Sequence, residues 1–397
     1  MRYLIFPIFT LFFISCSLSE IFTKIKVEAP ENGYTKIDLV LEDLVFIKAK
    51  VNGVEGLFLF DNGFTNCALN TEFAEKCNLK FTGKRTVNDA NKQKTTFKDG
   101  EIQVLTIGDF VFKNPTFHEI NTKNFLPCFP FDGVIGGNII KQVNWRLDFE
   151  NKKIEIKELP FVSDGIVWPI FTNSNNSSFV NFNWNEEEIE IHVDFGKQAE
   201  ISFNLEKFRN NIKGYPADLV VGITSLSATG LGKADTNYNI PGAKLNFSVN
   251  QNKVMHFDEV SFEKGLKRKG RIGVGYFKKY NEVIFNSTEN QIVLKGYNPT
   301  IDDDFFKSYG LGIYLIEGEF KLIQIQPNNP NFQQLNLMDK VEEINNMPTR
   351  RFKTICDYKN FVKEIKATQE PLIVKFENIP NYLEFKFQQP YLEPITK

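Results

Sequence analysis

Histidine, tryptophan, methionine and cysteine are all scarce in this chain of 397 residues, with three His, three Trp, four Met and five Cys. The three histidines, His118, His192 and His256, stand far apart, and the spacings of Cys16, Cys67, Cys77, Cys128 and Cys356 fit no zinc pattern. Neither a metal nor an organic cofactor is implied. No G-x-S-x-G and no H-E-x-x-H occurs, so the sequence marks of a serine hydrolase and of a zinc peptidase are both missing. Charge of one sign is lacking too. Lys and Arg number 47 against 49 Asp and Glu, and a net charge of −2 gives no electrostatic drive toward nucleic acid. Beyond residue 14 no apolar run is long enough to span a bilayer.

Phenylalanine, by contrast, is abundant. Forty Phe, a hydrophobic content of 42% and a charged content of 24% describe a globular chain with large aromatic cores. The length predicts two or three domains. At the start, Arg2 precedes the apolar run Tyr3–Ile14, which leads into Ser15-Cys16. A charged beginning, a short apolar region and a small residue describe a secretory signal rather than a membrane span. The Ser15-Cys16 junction resembles the lipobox of bacterial lipoproteins, although Phe13 departs from the usual aliphatic residue. That resemblance implies a signal over 1–16, lipid on Cys16, and an exported protein at the periplasm or outer membrane. A plain cleaved signal peptide is the other reading. Residues 17–32 are polar and mixed, suited to a tether.

From Tyr34 onward, short β-branched and aromatic runs broken by Gly and Asn predict a mainly β chain. Val54-Glu55-Gly56 reads as a hairpin turn that sends Leu57–Phe60 into Asp61. The pattern then occurs twice. Gly-Leu-Phe-Leu-Phe runs into Asp61-Asn62-Gly63, and Ile-Glu-Ile-His-Val runs into Asp194-Phe195-Gly196. A glycine-punctuated apolar run follows each, at Gly133–Ile140 and at Gly270–Phe277. Asp61 to Gly136 is 75 positions and Asp194 to Gly273 is 79, so the unit repeats at nearly constant length. A period this long means duplicated lobes rather than a solenoid.

The doubled Asp-x-Gly with its later glycine run resembles the aspartic peptidases of the pepsin and retropepsin type, over roughly 35–297. The resemblance implies two pseudo-twofold-related β lobes, 33–160 and 161–299, each giving one catalytic carboxylate, Asp61 and Asp194. Two carboxyls in one site cannot both ionise easily, so the pair holds one proton. The charged member takes a proton from water while the neutral one protonates the peptide carbonyl. Loops near 88–94 and 227–233 are placed to cover such a site. The family's Thr is replaced by Asn62 in the first turn and by Phe195 in the second, while Thr65 falls where Ser is common. Asn62 retains an amide that can brace the turns; Phe195 has no such group, and Lys197 sets a cation near Asp194. The implied function is therefore an endopeptidase acting on extended peptides or unfolded protein segments. The alternative is a degenerate relative that only binds them.

After Asp302-Asp303-Asp304 the character changes, and 300–397 resembles a PDZ domain, a small α/β unit. Gly310-Leu311-Gly312-Ile313 matches that family's carboxylate-binding loop, and Asp357–Lys366 its peptide-flanking helix. The glycines of the family's A-G-L-x-x-G-D segment are missing from Gln334–Asp339. The resemblance implies peptide capture by strand addition. An appendage without a peptide site is the other reading. Among the cysteines, Cys67 and Cys77 form the one close pair, open either to a disulfide or to burial as free thiols.

Overall fold

The computed structural model describes residues 25–88, 94–185, 187–224, 226–227, 230–242, 245, 247–249, 253–299, 307–389 and 392–395. The chain is mainly β. Its first part runs β1 (Lys26–Glu28), β2 (Tyr34–Leu41), β3 (Val45–Val51), β4 (Val54–Phe60), β5 (Cys67–Asn70), α1 (Thr71–Lys76), β6 (Phe81–Asn88) and β7 (Lys94–Glu101). It continues through β8 (Val104–Ile107), β9 (Phe110–Lys113), β10 (Thr116–Ile120), α2 (Thr122–Phe125), β11 (Gly133–Ile135), α3 (Gly137–Ile140), β12 (Asn144–Asp148) and β13 (Lys153–Lys157). The second part has β14 (Ile166–Thr172), β15 (Ser178–Trp184), β16 (Glu187–Asp194), β17 (Ile201–Asn204), α4 (Leu205–Ile212), β18 (Pro216–Gly222), β19 (Leu226–Ser227) and β20 (Gly230–Leu231). Then come β21 (Asp235–Pro241), β22 (Phe247–Val249), β23 (Lys253–Met255), β24 (Glu259–Glu263), β25 (Gly270–Gly273), α5 (Val274–Phe277), β26 (Tyr280–Asn286) and β27 (Gln291–Tyr297). The last part holds β28 (Leu311–Ile316), β29 (Glu319–Ile325), β30 (Val341–Ile344), β31 (Met347–Pro348), α6 (Ile355–Thr368), β32 (Leu372–Phe376), β33 (Leu383–Phe385) and β34 (Glu393–Pro394).

The repeat seen in the sequence returns as a repeat of strand pairing. In the first half β4 runs parallel to β11, with Phe60 opposite Ile135; in the second β16 runs parallel to β25, with Asp194 opposite Gly273. β5 pairs parallel with β10 and antiparallel with β11, as β17 does with β24 and β25. Each of β5 and β17 ends in an Asn whose side-chain oxygen accepts the N–H three residues on, capping α1 (Asn70) and α4 (Asn204). The hairpins β6–β7 and β18–β21 follow at matching places. One helical cap and one hairpin per half thus come from the same local signals.

The halves meet in a six-stranded antiparallel sheet ordered β2-β13-β12-β26-β27-β14. Its central seam joins β12 to β26, from Trp145 opposite Phe285 to Asp148 opposite Glu282. Between this sheet and the two Asp-x-Gly turns lies an aromatic cluster drawn from both halves. The Phe60 ring meets those of Trp145, Phe195 and Phe285 at 5.2, 6.0 and 6.3 Å between centroids. Edge-on and offset contacts of this kind add to plain area burial.

The last part has its own buried cluster, including Ile313, Phe320, Leu322, Tyr358, Val374 and Phe376. It is tied to the second half by backbone bonds. β29 pairs with β18 at Val221 and Gly222, and β34 pairs with β18 at Pro216 and Ala217. It is tied to the first half covalently, because Cys128 and Cys356 form a disulfide. Cys67 and Cys77 remain free and buried, so the sequence-adjacent pair is not the bonded one. Two further expectations change. Residues 26–28 of the supposed tether form β1, paired to β9, and the turn before β4 is Asn52-Gly53, both at positive φ, with Val54-Glu55-Gly56 already in the strand. Cys16 and Asp302–Asp304 lie outside the described residues. Among the described residues no helix is long and apolar enough to cross a membrane.

Candidate active site

Asp61 and Asp194 each leave the C-terminal end of a central strand into a tight turn. Asp61 N–H donates to the Ile135 carbonyl of β11, and the turns close by Phe64 N–H to Asp61 O (3.3 Å) and Lys197 N–H to Asp194 O (3.2 Å). The two turns face each other across the halves. Gly196 N–H donates both to Asp61 Oδ1 (3.0 Å) and to Asp194 Oδ1 (3.2 Å), so one donor serves both carboxylates. Asp61 Oδ1 also accepts from Gly63 N–H at 2.7 Å. Glycine is required here on steric grounds. A methyl group on Gly63 would sit 2.3 Å from Asp194 Oδ1, and one on Gly196 would sit 2.2 Å from Asp61 Oδ2. Both carboxylates are buried, Asp61 being 4% and Asp194 9% exposed.

The brace between the turns differs from the expectation in one detail. Asn62 accepts rather than donates: its Oδ1 takes the Phe195 N–H at 3.0 Å, while its Nδ2 finds no partner. Phe195 faces away from the carboxylates into the shared core, fully buried. Its ring stacks on Phe277 (4.8 Å) and meets Phe285 edge-on (5.1 Å). The ring that stands in place of a small polar group packs as the support under the second turn. Thr65 contributes its carbonyl, which accepts from Asn138 N–H (3.1 Å) and from Asn176 Nδ2 of the second half (3.1 Å).

The cation nearest Asp194 is Arg271, while the charge of Lys197 reaches Asp194 from further off. Lys197 Nζ pairs with Glu263 at 3.1 Å, and Arg271 Nη1 stands 3.6 Å from Asp194 Oδ2 while its Nη2 reaches Glu263 at 3.4 Å. Burial pushes Glu263 up, but Lys197 and Arg271 outweigh it and hold the carboxyl down at about 2. Asp61 is pushed the other way, up to about 7, first by burial and then by the charge of Asp194, against the pull of N–H bonds from Gly63 and Gly196. His192, two residues before Asp194, is buried with neither ring nitrogen bonded, and burial pushes it down to about 3. It is neutral near pH 7. Arg271 carried no signal in sequence, because its place beside Asp194 depends on the β16–β25 register.

Near the first turn, Asn66 Nδ2 lies 3.0 Å from His118 Nε2, whose Nδ1 lies 2.6 Å from Asp99 Oδ1 of β7. This links the Asp61 turn to the β6–β7 hairpin. The tip of that hairpin, 89–93, lies outside the described residues, as do 228 and 229 of the second loop expected to cover the site. In the last part, Leu311-Gly312-Ile313 begin β28, while Gly310 turns at φ 71° with its N–H donated to Ser308 Oγ (3.2 Å). A shallow cavity of about 240 Å³ lined by Tyr280, Leu294, Lys295 and Tyr297 holds neither carboxylate.

Compared with known proteins, residues 47–139 match the aspartyl protease family model, a stretch that holds Asp61, its turn and β11. No curated protein matches the chain. Among solved structures, a retropepsin-like aspartic protease from Rickettsia conorii aligns with 33% of this chain and 91% of its own, at 22% identity and a TM-score of 0.23.

Proposed function

We propose that this protein is an exported aspartic-type endopeptidase that hydrolyses extended peptide segments with the Asp61–Asp194 pair and one water. The observation that carries the reading is the single Gly196 N–H shared by carboxylates from the two halves. The family match over 47–139 supports it independently. On this reading 33–160 and 161–299 are retropepsin-like lobes of a pepsin-like fold, related by a pseudo-twofold axis near the pair. The ionised carboxylate takes a proton from water as its oxygen bonds to the peptide carbonyl carbon. The neutral carboxyl gives its proton to the carbonyl oxygen. Collapse of the tetrahedral intermediate then breaks the C–N bond as the carboxyl that took the water proton gives it to the nitrogen and the other carboxylate takes back a hydroxyl proton, which restores the pair.

The flanking parts fit the same picture. Residues 300–397 are PDZ-like, and β28, whose ladder among the described residues runs to β29 alone, takes a peptide strand on its other edge. Lipid on Cys16 anchors the chain outside the cytoplasm, in keeping with the Cys128–Cys356 disulfide, since such bonds persist in oxidising compartments. Incubation with a denatured protein between about pH 4 and pH 8 tests the activity. Cleavage is expected to fall as pH rises through about 7, where Asp61 loses the shared proton. No product at any pH, with peptide retained on the protein, favours the degenerate binding module instead.

A further inference from the structure

The two carboxylates stand on equivalent strands, yet their neighbours on those strands are not equivalent. Asp194 stands opposite Gly273 of β25, and in the first half Gly136 directly follows Ile135 of β11, which stands opposite Phe60, the residue before Asp61. Two residues before those glycines come Val134 in the first half and Arg271 in the second. Leu59 lies opposite Val134, and His192 opposite Arg271. On the next strand the partners are Ala68 and Ser202. The third residue after each Asp is Phe64 in one turn and Lys197 in the other. The first carboxylate therefore looks onto an apolar face and the second onto a cationic one.

We propose that Arg271 is a positioning residue that breaks the symmetry of the carboxylate pair, holding the ionised form on Asp194 and leaving the shared proton on Asp61. The inference deepens the peptidase reading and takes its catalytic consequence from it. Asp194 then accepts the proton of the attacking water, and Asp61 protonates the carbonyl oxygen. Asp61 Oδ1 already accepts two N–H bonds, from Gly63 and Gly196, so the proton belongs on Oδ2.

The groups facing Asp194 are few and their signs known. Arg271 comes from β25, with Nη1 at 3.6 Å. Arg268, in the loop before it, donates from Nη2 to Ser177 Oγ (3.3 Å) and lies over the Phe179 ring, adding positive charge at longer range. Lys197 pairs with Glu263 and also adds positive charge toward Asp194 at longer range, and His192 is neutral. Asp61 supplies the one opposing carboxyl across the halves. Glu263 draws part of the Arg271 charge through Nη2, while the Arg271 Nε is buried without a partner.

The test is a carbon-13 titration of aspartate-labelled protein, with Asp61→Asn and Asp194→Asn assigning the two resonances. It needs no turnover, so failure of the peptidase reading leaves it intact. The expected result is that the lower titration step belongs to Asp194. Arg271→Met raises that step, and Arg271→Lys restores most of it. The acid limb of any cleavage profile moves up with it in Arg271→Met. Glu263→Gln, which frees Arg271 for Asp194, moves the step down and keeps the test open if Arg271→Met does not fold. A lower step belonging to Asp61, or one that moves in neither variant, overturns the proposal.

Discussion

Phe195 serves the site through its backbone and the core through its ring. Asn62 Oδ1 takes the Phe195 N–H across the turns, and the ring fills the core below. Phe195→Ala should cost about 3–5 kcal/mol, as a cavity opens among Phe60, Phe277 and Phe285, read as a lowered urea midpoint. Phe195→Thr should lose stability as well, since a hydroxyl cannot refill that space. At Gly196 the effect is on the site instead. Gly196→Ala drives a methyl group into Asp61 Oδ2, and should abolish cleavage with a smaller loss of stability than Phe195→Ala. Asp61 and Asp194 were legible because a doubled Asp-x-Gly is a local pattern. Arg271 and Asn176 were not, because each reaches the site through a register or turn set by the whole sheet.

Among the elements, the hairpin β18–β21 occupies the place in the second half that β6–β7 has in the first, but it is held differently. β6 has no strand partner besides β7 among the described residues, whereas β18 is also joined to β29 and β34. At the junction, Gly222 has φ 135° and a methyl group there would lie 2.1 Å from the Ile323 carbonyl oxygen. Gly222→Val should therefore part β18 from β29. The measurement is amide exchange, expected to quicken in β18 and β29 while β6 and β7 stay unchanged. The mainly β character was legible, since short β-branched and aromatic runs between Gly and Asn are local. β1 was not, because its three residues become a strand only by meeting β9, and the turn before β4 falls at Asn52-Gly53 rather than at the glycine at 56.

For the molecule as a whole, the disulfide and the buried acids decide how the parts hold together. Cys128–Cys356 closes a separation of 228 residues between the first half and the last part. Cys356→Ser should cost about 2–4 kcal/mol in unfolding experiments, and a reducing agent should have the same effect on the native chain but none on the variant. The pairing was illegible because sequence distance says nothing about which thiols the fold brings together.

Stability should also depend on pH. Burial pushes Asp61, Glu200 and Glu259 up to about 7 and Asp218 up to about 6. Each raised acid stabilises the fold fully below about pH 4 and loses that contribution as pH rises through its folded value. His192, pushed down to about 3, works oppositely: its contribution is full above about pH 6.5 and lost toward pH 3. Four acids outweigh the two lowered histidines, His118 and His192, between about pH 5.5 and pH 8, so the melting temperature should be higher at the acid end of that range.

The most direct measurement is cleavage of a denatured protein near pH 5 by the native chain, Asp61→Asn and Asp194→Asn, with each variant first shown to be folded. Product peptides from the native chain and from neither variant are expected, because one carboxyl cannot serve as acid and base together. Product that persists in Asp61→Asn would contradict the shared-proton pair.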